Sequence, residues 1–209
     1  QYAKHFYLTI KKNKSTPTMT KSTLPIKAFK SPDTFETWLE KQHDKSTGIW
    51  MKIYKKDSGI KTITYAEALD VALCFGWIDG QKQAFDETCW LQKFCPRTAK
   101  SIWSKINIGH VERLIQAGKM QPAGLKAIES AKADGRWEKA YDSPSKMTIP
   151  DDFLKALSKN KKAETFFKSL NKTNLFSIGF QLQTAKKQET REKRMKIIIE
   201  KLAKGEKLQ

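Results

Sequence analysis

Thr64-Tyr65-Ala66-Glu67-Ala68-Leu69-Asp70-Val71-Ala72-Leu73-Cys74-Phe75-Gly76-Trp77-Ile78-Asp79-Gly80 is the stretch whose reading decides the fold class. Thr64 with Glu67 three residues on has the spacing of a capping box, so a helix starts at Tyr65. Only Glu67 and Asp70 interrupt its apolar run to Phe75, and a helix apolar almost all round is a central one. Gly76 stops it. Trp77 to Phe85 then reads as a strand, Asp86-Glu87 as a turn and Thr88 to Phe94 as the returning strand of a β-hairpin. In the second arm Cys89, Leu91, Lys93 and Cys95 share one side, and Trp90, Gln92 and Phe94 the other.

Upstream, Gly48 to Lys56 alternates, with Ile49, Met51 and Ile53 on one face and Trp50, Lys52 and Tyr54 on the other, so it reads as a strand. Asp57-Ser58-Gly59 is a turn, and Ile60 to Ile63 reads as a short partner strand. Ser31-Pro32-Asp33 opens a helix with a hydroxyl cap, proline in the first turn and an acid near the positive helix end. Phe35, Trp38 and Leu39 form its apolar face.

Downstream, Pro96 ends the strands, Thr98–Ser104 reads as a short helix, and Asn107 as the cap of a helix with Val111, Leu114 and Ile115 on one face and a stop at Gly118. Gln121–Ala133 is a further helix stopped at Gly135, and Trp137 to Pro150 reads as an extended linker. Pro150–Leu157, Ala163–Leu170, Thr173–Ala185 and Thr190–Ala203 are helical by period, and Met195, Ile198, Ile199 and Leu202 make the buried stripe of the last. The expected fold is α+β and mostly helical: a small antiparallel β-sheet of three to four strands packed by helices, with a C-terminal helical module. The expected division is a basic extension over 1–23, an α+β body over 24–145 and the helical module over 146–209, packed on the body.

The 209 residues carry 40 Lys and Arg against 22 Asp and Glu, a net charge of +18. Mean hydropathy is −0.63 and the isoelectric point about 9.8. No apolar run reaches the ~18 residues of a membrane-spanning helix. Such a chain is attracted to polyanions, whether nucleic acid, anionic lipid or a phosphorylated ligand. The excess sits at the ends: residues 1–30 hold seven lysines and no acid, and residues 185–209 hold nine basic against four acidic side chains. Solvated basic ends of this kind bind nucleic acid weakly, without sequence preference and with strong salt dependence. The first residues are basic and acid-free but lack the apolar core of a secretory signal, and Met19 reads as the start of the folded protein. Cys74, Cys89 and Cys95 show no Cys-x-x-Cys spacing and the three histidines lie far apart, so no zinc template is met. The expectation is reduced thiols, a cytoplasmic location, no metal and no cofactor.

Chemistry-bearing side chains concentrate between Trp77 and Asn107. Trp77, Asp79, Phe94, Arg97, Ser101, Trp103 and Asn107 are the candidate site residues. Arg97, Ser101 and the amides of a helix opened by Thr98 would hold an oxyanion, and the aromatic faces would stack a planar group. The same residues also read as scaffold, with the indoles in the core and Arg97 paired to Asp79 or Asp86. No nucleophile–base pair or phosphate loop is present, so the catalytic residues, if any, are not identified; Asp79 and Glu67 are the carboxylates available for acid–base work. Cys74, inside an apolar helix, reads as packing.

These motifs carry a family resemblance. Tyr65-x-Glu67-Ala68-Leu69, Ala72-Leu73-Cys74-Phe75-Gly76-Trp77-Ile78-Asp79-Gly80 and Phe94-x-Pro96-Arg97-x3-Ser101-x-Trp103-Ser104-x2-Asn107 occur in order. Val111-Glu112-Arg113-Leu114-Ile115 and Gly124-Leu125-x-Ala127-Ile128 follow, then Pro150-x-Asp152-Phe153 and Ala185-Lys186-x2-Glu189-Thr190-Arg191. Over about residues 31–205 the chain resembles the YdeI/OmpD-associated family, labelled bacteriocin-protection. The resemblance implies a soluble, bacterial, cytoplasmic protein connected with stress or antimicrobial-peptide resistance, and it implies no reaction. Three functions follow: binding of a phosphorylated or carboxylated small molecule at residues 77–107, nucleic-acid binding through the basic ends, or an enzyme on a phosphorylated or amide substrate, with Asp79 or Glu67 as base and Arg97 as anion clamp.

Overall fold

A computed structural model describes residues 24–208; the basic extension over 1–23 lies outside the described residues. The chain begins with a two-residue strand, β1 (Ile26–Lys27), and helix α1 (Pro32–Gln42). Ser31 and Thr34 form a reciprocal capping box on α1, and Phe35 and Leu39 are its buried face. Strand β2 (Ile49–Tyr54) buries Ile49, Met51 and Ile53. Helix α2 (Tyr65–Cys74) starts at the Thr64–Glu67 box. Strands β3 (Trp77–Ala84) and β4 (Cys89–Pro96) make the hairpin. Asp86 closes its turn, accepting from the Thr88 and Cys89 amides at 2.8 Å each.

The sheet order is β1-β2-β4-β3. It is mixed, where an antiparallel sheet was expected: β1 runs parallel to β2. The cause is the intervening α1, which returns the chain in the direction it left, as a helical crossover does. Ile60–Ile63 is not a strand either. Both edges of β2 are taken, by β1 and β4, so the segment has no edge to join. It follows a single 3₁₀ turn (Lys56–Ser58) and Gly59 at φ +70°, then runs extended and buries Ile63. The β3–β4 register slips between Asp79 and Lys82.

Thr98–Ser104 does not form the expected helix. Its groups are engaged otherwise: the Thr98 amide donates to Ser101 Oγ at 2.9 Å, and the Thr98 and Ser101 carbonyls accept from Arg136 at 3.3 and 2.9 Å. Helix α3 (Lys105–Gln116) starts later, capped by Ser104, whose Oγ accepts from the Asn107 amide. Asn107 is therefore a first-turn residue and not the cap. Val111 and Leu114 are buried but Ile115 is exposed. Helix α4 (Pro122–Ala133) packs its Gly124 against the end of α2. The stretch after Trp137 is tied down: Tyr141 bridges Ser104, and its ring meets Phe180 edge-on at 4.9 Å.

Four C-terminal helices follow: α5 (Asp151–Leu157), α6 (Lys161–Lys168), α7 (Lys172–Gln183) and α8 (Gln188–Ala203). Buried apolar residues form two clusters, one from Phe29 to Ala140 around the sheet, α1 and α2, and one from Phe153 to Leu202 among the C-terminal helices. Ile198 and Leu202 of α8 are buried, with Met195 and Ile199 packed against them. Asp142 and Gln183 exchange reciprocal hydrogen bonds of 3.0 and 2.7 Å, which docks α7 on the stretch after Ala140. Among the described residues no helix is long and apolar enough to cross a membrane.

Arg191 locks three C-terminal helices together. It donates to both Asp152 oxygens of α5 (2.7 and 2.8 Å) and to the Leu182 carbonyl of α7 (2.9 Å). Those bonds hold the Asp152 carboxyl below its ordinary value. A carboxyl lowered by folding contributes stability above its unfolded value, near 3.9, and loses it as pH falls through the folded value. The melting temperature is therefore expected to fall as the pH drops below about 4, and Asp152→Asn to flatten that limb while lowering stability at neutral pH. A variant with the wild-type acid limb would remove Asp152 as its source.

Candidate anion-binding cleft

The sequence-predicted residues separate into core and rim. Phe94 lies fully in the core against Phe35 (centroids 5.9 Å apart). Trp77 is 1 % exposed; its indole N–H donates to the His43 carbonyl at 3.0 Å and its ring meets Trp38 edge-on. Trp103 is 2 % exposed and lies against Trp137, with centroids 4.9 Å apart. Asp79 accepts from the Tyr65 hydroxyl at 2.7 Å. Burial and that bond push the Tyr65 phenol upward. Ser101 is engaged by Thr98 of its own loop, through its hydroxyl, and by Arg136 from the turn after α4, through its carbonyl.

Arg97 is the residue on which the site turns. Its amide donates to the Gly76 carbonyl at 2.9 Å, fixing it beside the α2–β3 turn. Its guanidinium lies over Trp103, Cζ 3.5 Å from the ring centroid. One arm donates to the Ile102 carbonyl at 3.2 Å. Nε and Nη2 are sealed from solvent and have no acceptor among the described residues. Burial pulls the guanidinium down to about 10, with Asp79 and Tyr141 working against that, so it stays charged at neutral pH. A buried cation with unmatched donors is unusual, because each unmade bond carries a desolvation cost.

Beside it lies an open cleft of about 300 Å³. Its walls come from the end of α1, the α2–β3 turn, the segment after β4 and one face of α4. Trp77 and Arg97 line it; Asp79, Phe94, Ser101, Trp103 and Asn107 do not. His43, Lys126 and Arg136 do, and sequence reading missed all three. Among the described residues no carboxylate lines the cleft. His43 turns Nδ1 to the Leu39 carbonyl at 2.9 Å. Arg136, 9 % exposed, is held by Asp134 at 2.7 Å while it clamps the Thr98–Ser101 carbonyls. Nothing near these positions flagged them: Lys126 follows helical period on a polar face, and Arg136 stands alone after a glycine.

The two carboxylates weighed for acid–base work have other duties. Glu67 accepts from the Thr64 amide and hydroxyl at 2.8 Å each, and those bonds hold its carboxyl below its usual range, so it is a helix cap. Burial pushes the Cys74 thiol up to about 11, the state of a packing cysteine. Among the described residues no group of three or more His, Cys, Asp and Glu side chains is placed to hold a metal ion.

Comparison with known proteins divides the chain. Residues 27–127, which hold the sheet and most of the motifs quoted for the resemblance, match a family described as "Domain of unknown function (DUF8412)". Residues 146–205 match the family described as "Bacteriocin-protection, YdeI or OmpD-Associated". No curated protein and no solved structure matches the chain. The cleft thus lies mainly in the segment that matches the domain of unknown function, and it is the helices of residues 146–205 that match the YdeI/OmpD-associated, bacteriocin-protection family.

Proposed function

We propose that the protein binds an anionic small molecule, phosphorylated or carboxylated, in the cleft beside Arg97. The observation that carries this is the guanidinium itself: two of its nitrogens, Nε and Nη2, are buried without an acceptor, next to an opening lined by Lys126 and Arg136 and, among the described residues, by no carboxylate. An entering oxyanion supplies the acceptors, and the paired charges gain most where water is excluded. The neighbouring Phe75 and Trp77 offer apolar contact to the rest of the ligand. Three free thiols fit a reducing cytoplasm as the place of action. In this reading the stress or bacteriocin resistance attached to the family works through capture of such a ligand.

A thermal-shift panel of inorganic phosphate, nucleoside monophosphates, sugar phosphates and di- and tricarboxylates tests it. A true ligand at about a hundred times its Kd is expected to raise Tm by about 5–10 °C. Arg97→Gln is expected to abolish the shift, and the exposed cleft variant Lys126→Ala to weaken binding about tenfold without lowering basal Tm. No shift with any anion, or equal shifts in both variants and the wild type, refutes the reading.

A further inference from the structure

A second opening lies away from that cleft, where the end of β2, the 3₁₀ turn and the extended Ile60–Thr64 segment meet. It is a groove of about 360 Å³. Tyr54, Tyr65 and Trp90 line it, and so do Lys55, Lys56 and Lys61; among the described residues no carboxylate does. Ile60 stands 48 % exposed on its wall, an apolar side chain presented to solvent within a lysine cluster. Lys55 reaches the Glu87 carbonyl at 2.8 Å, and neither Lys56 nor Lys61 has a hydrogen-bond acceptor or ion-pair partner among the described residues. Trp90 carries Lys82 over its ring at 4.4 Å, and its indole N–H has no acceptor among the described residues.

We infer that this groove binds single-stranded nucleic acid. Aromatic and aliphatic walls reward flat base faces whatever the base, and the flanking ammonium groups match a phosphate backbone. A polyanion without bases would use the lysines and leave the exposed Ile60 without a partner, whereas Tyr65 and Trp90 pack one side on the core. The net charge of +18 supplies long-range attraction, and the groove supplies the place where a strand settles. This site shares no lining residue with the Arg97 cleft and stands independently of that reading.

The test is fluorescence anisotropy on the full chain with labelled oligothymidylate. Lys55→Ala/Lys56→Ala/Lys61→Ala is expected to weaken binding at least about tenfold and to lower the salt slope by about 2. Lys155→Ala/Lys159→Ala/Lys162→Ala removes the same charge from exposed positions of the C-terminal helices and is expected to change affinity less than about twofold. An abasic oligomer of equal length is expected to bind at least about tenfold more weakly than oligothymidylate. Equal losses in the two triple variants overturn the inference in favour of diffuse charge attraction. Equal affinity for the abasic strand overturns it in favour of a plain polyanion site, and no binding by the wild type overturns it outright.

Discussion

Trp103→Ala is expected to destabilise the protein by about 3–5 kcal/mol, lowering Tm by roughly 6–20 °C. The ring is 2 % exposed and fills space between Trp137, 4.9 Å away, and the guanidinium of Arg97. Truncation removes the transfer energy of an indole and leaves a cavity that the surrounding loop closes only in part. It also withdraws the aromatic face from a buried cation whose Nε and Nη2 already lack acceptors, a contact worth about 1–2 kcal/mol where water is excluded. Trp103→Phe keeps an aromatic face under the cation and is expected to recover more than half of the loss. Urea denaturation of the three proteins measures it. A loss below about 1 kcal/mol for the alanine variant shows that the indole does not support Arg97 in this way.

The second large effect is expected at a glycine, and its sign opposes helix propensity. Alanine is favoured over glycine in a helix interior by about 1 kcal/mol. At Gly124, however, a Cβ would stand 2.2 Å from the Cys74 carbonyl oxygen and 2.7 Å from the Met120 methyl. The methyl can swing away, but the carbonyl is backbone and already accepts from the Gln121 amide at 3.1 Å. Helix α4 must therefore back off from α2, and Gly124→Ala is expected to cost about 1–3 kcal/mol net. Gly109 in α3 is the control: a Cβ there meets nothing within 4 Å, so Gly109→Ala is expected to be neutral or stabilising by up to about 1 kcal/mol. Stabilisation by both variants would show that α4 has room to move. Because α4 lines the cleft, Gly124→Ala is also expected to weaken anion binding, whereas Gly109→Ala leaves it unchanged.

What was legible in the sequence was local. The Thr64–Glu67 box, the Ser31 cap, the alternation of Ile49, Met51 and Ile53, the turn at Asp86 and the stops at Gly76, Gly118 and Gly135 each write their element within a few residues. The errors arose where distant partners decide. Two residues, Ile26 and Lys27, are too few to show alternation, so the parallel strand left no pattern. Thr98–Ser104 has an acceptable helical composition, but Arg136, some 35 residues later, takes its carbonyls. The site followed the same rule. Arg97 stood out beside a proline and among indoles, yet His43, Lys126 and Arg136 reach the cleft from three separate elements. Phe94 and Trp103 are core because large aromatic rings contribute most when fully buried.

The register slip between Asp79 and Lys82 bears on behaviour at high concentration. Among the described residues β1 and β3 are the outermost strands of the sheet, and an outermost strand is where a neighbouring molecule can pair. β1 is two residues long, too short to template an intermolecular ladder. β3 is eight residues long but irregular in its middle and presents Lys82 beyond the slip. A strand bent in this way and carrying charge resists edge-to-edge association, which guards the chain against fibril growth through its own sheet.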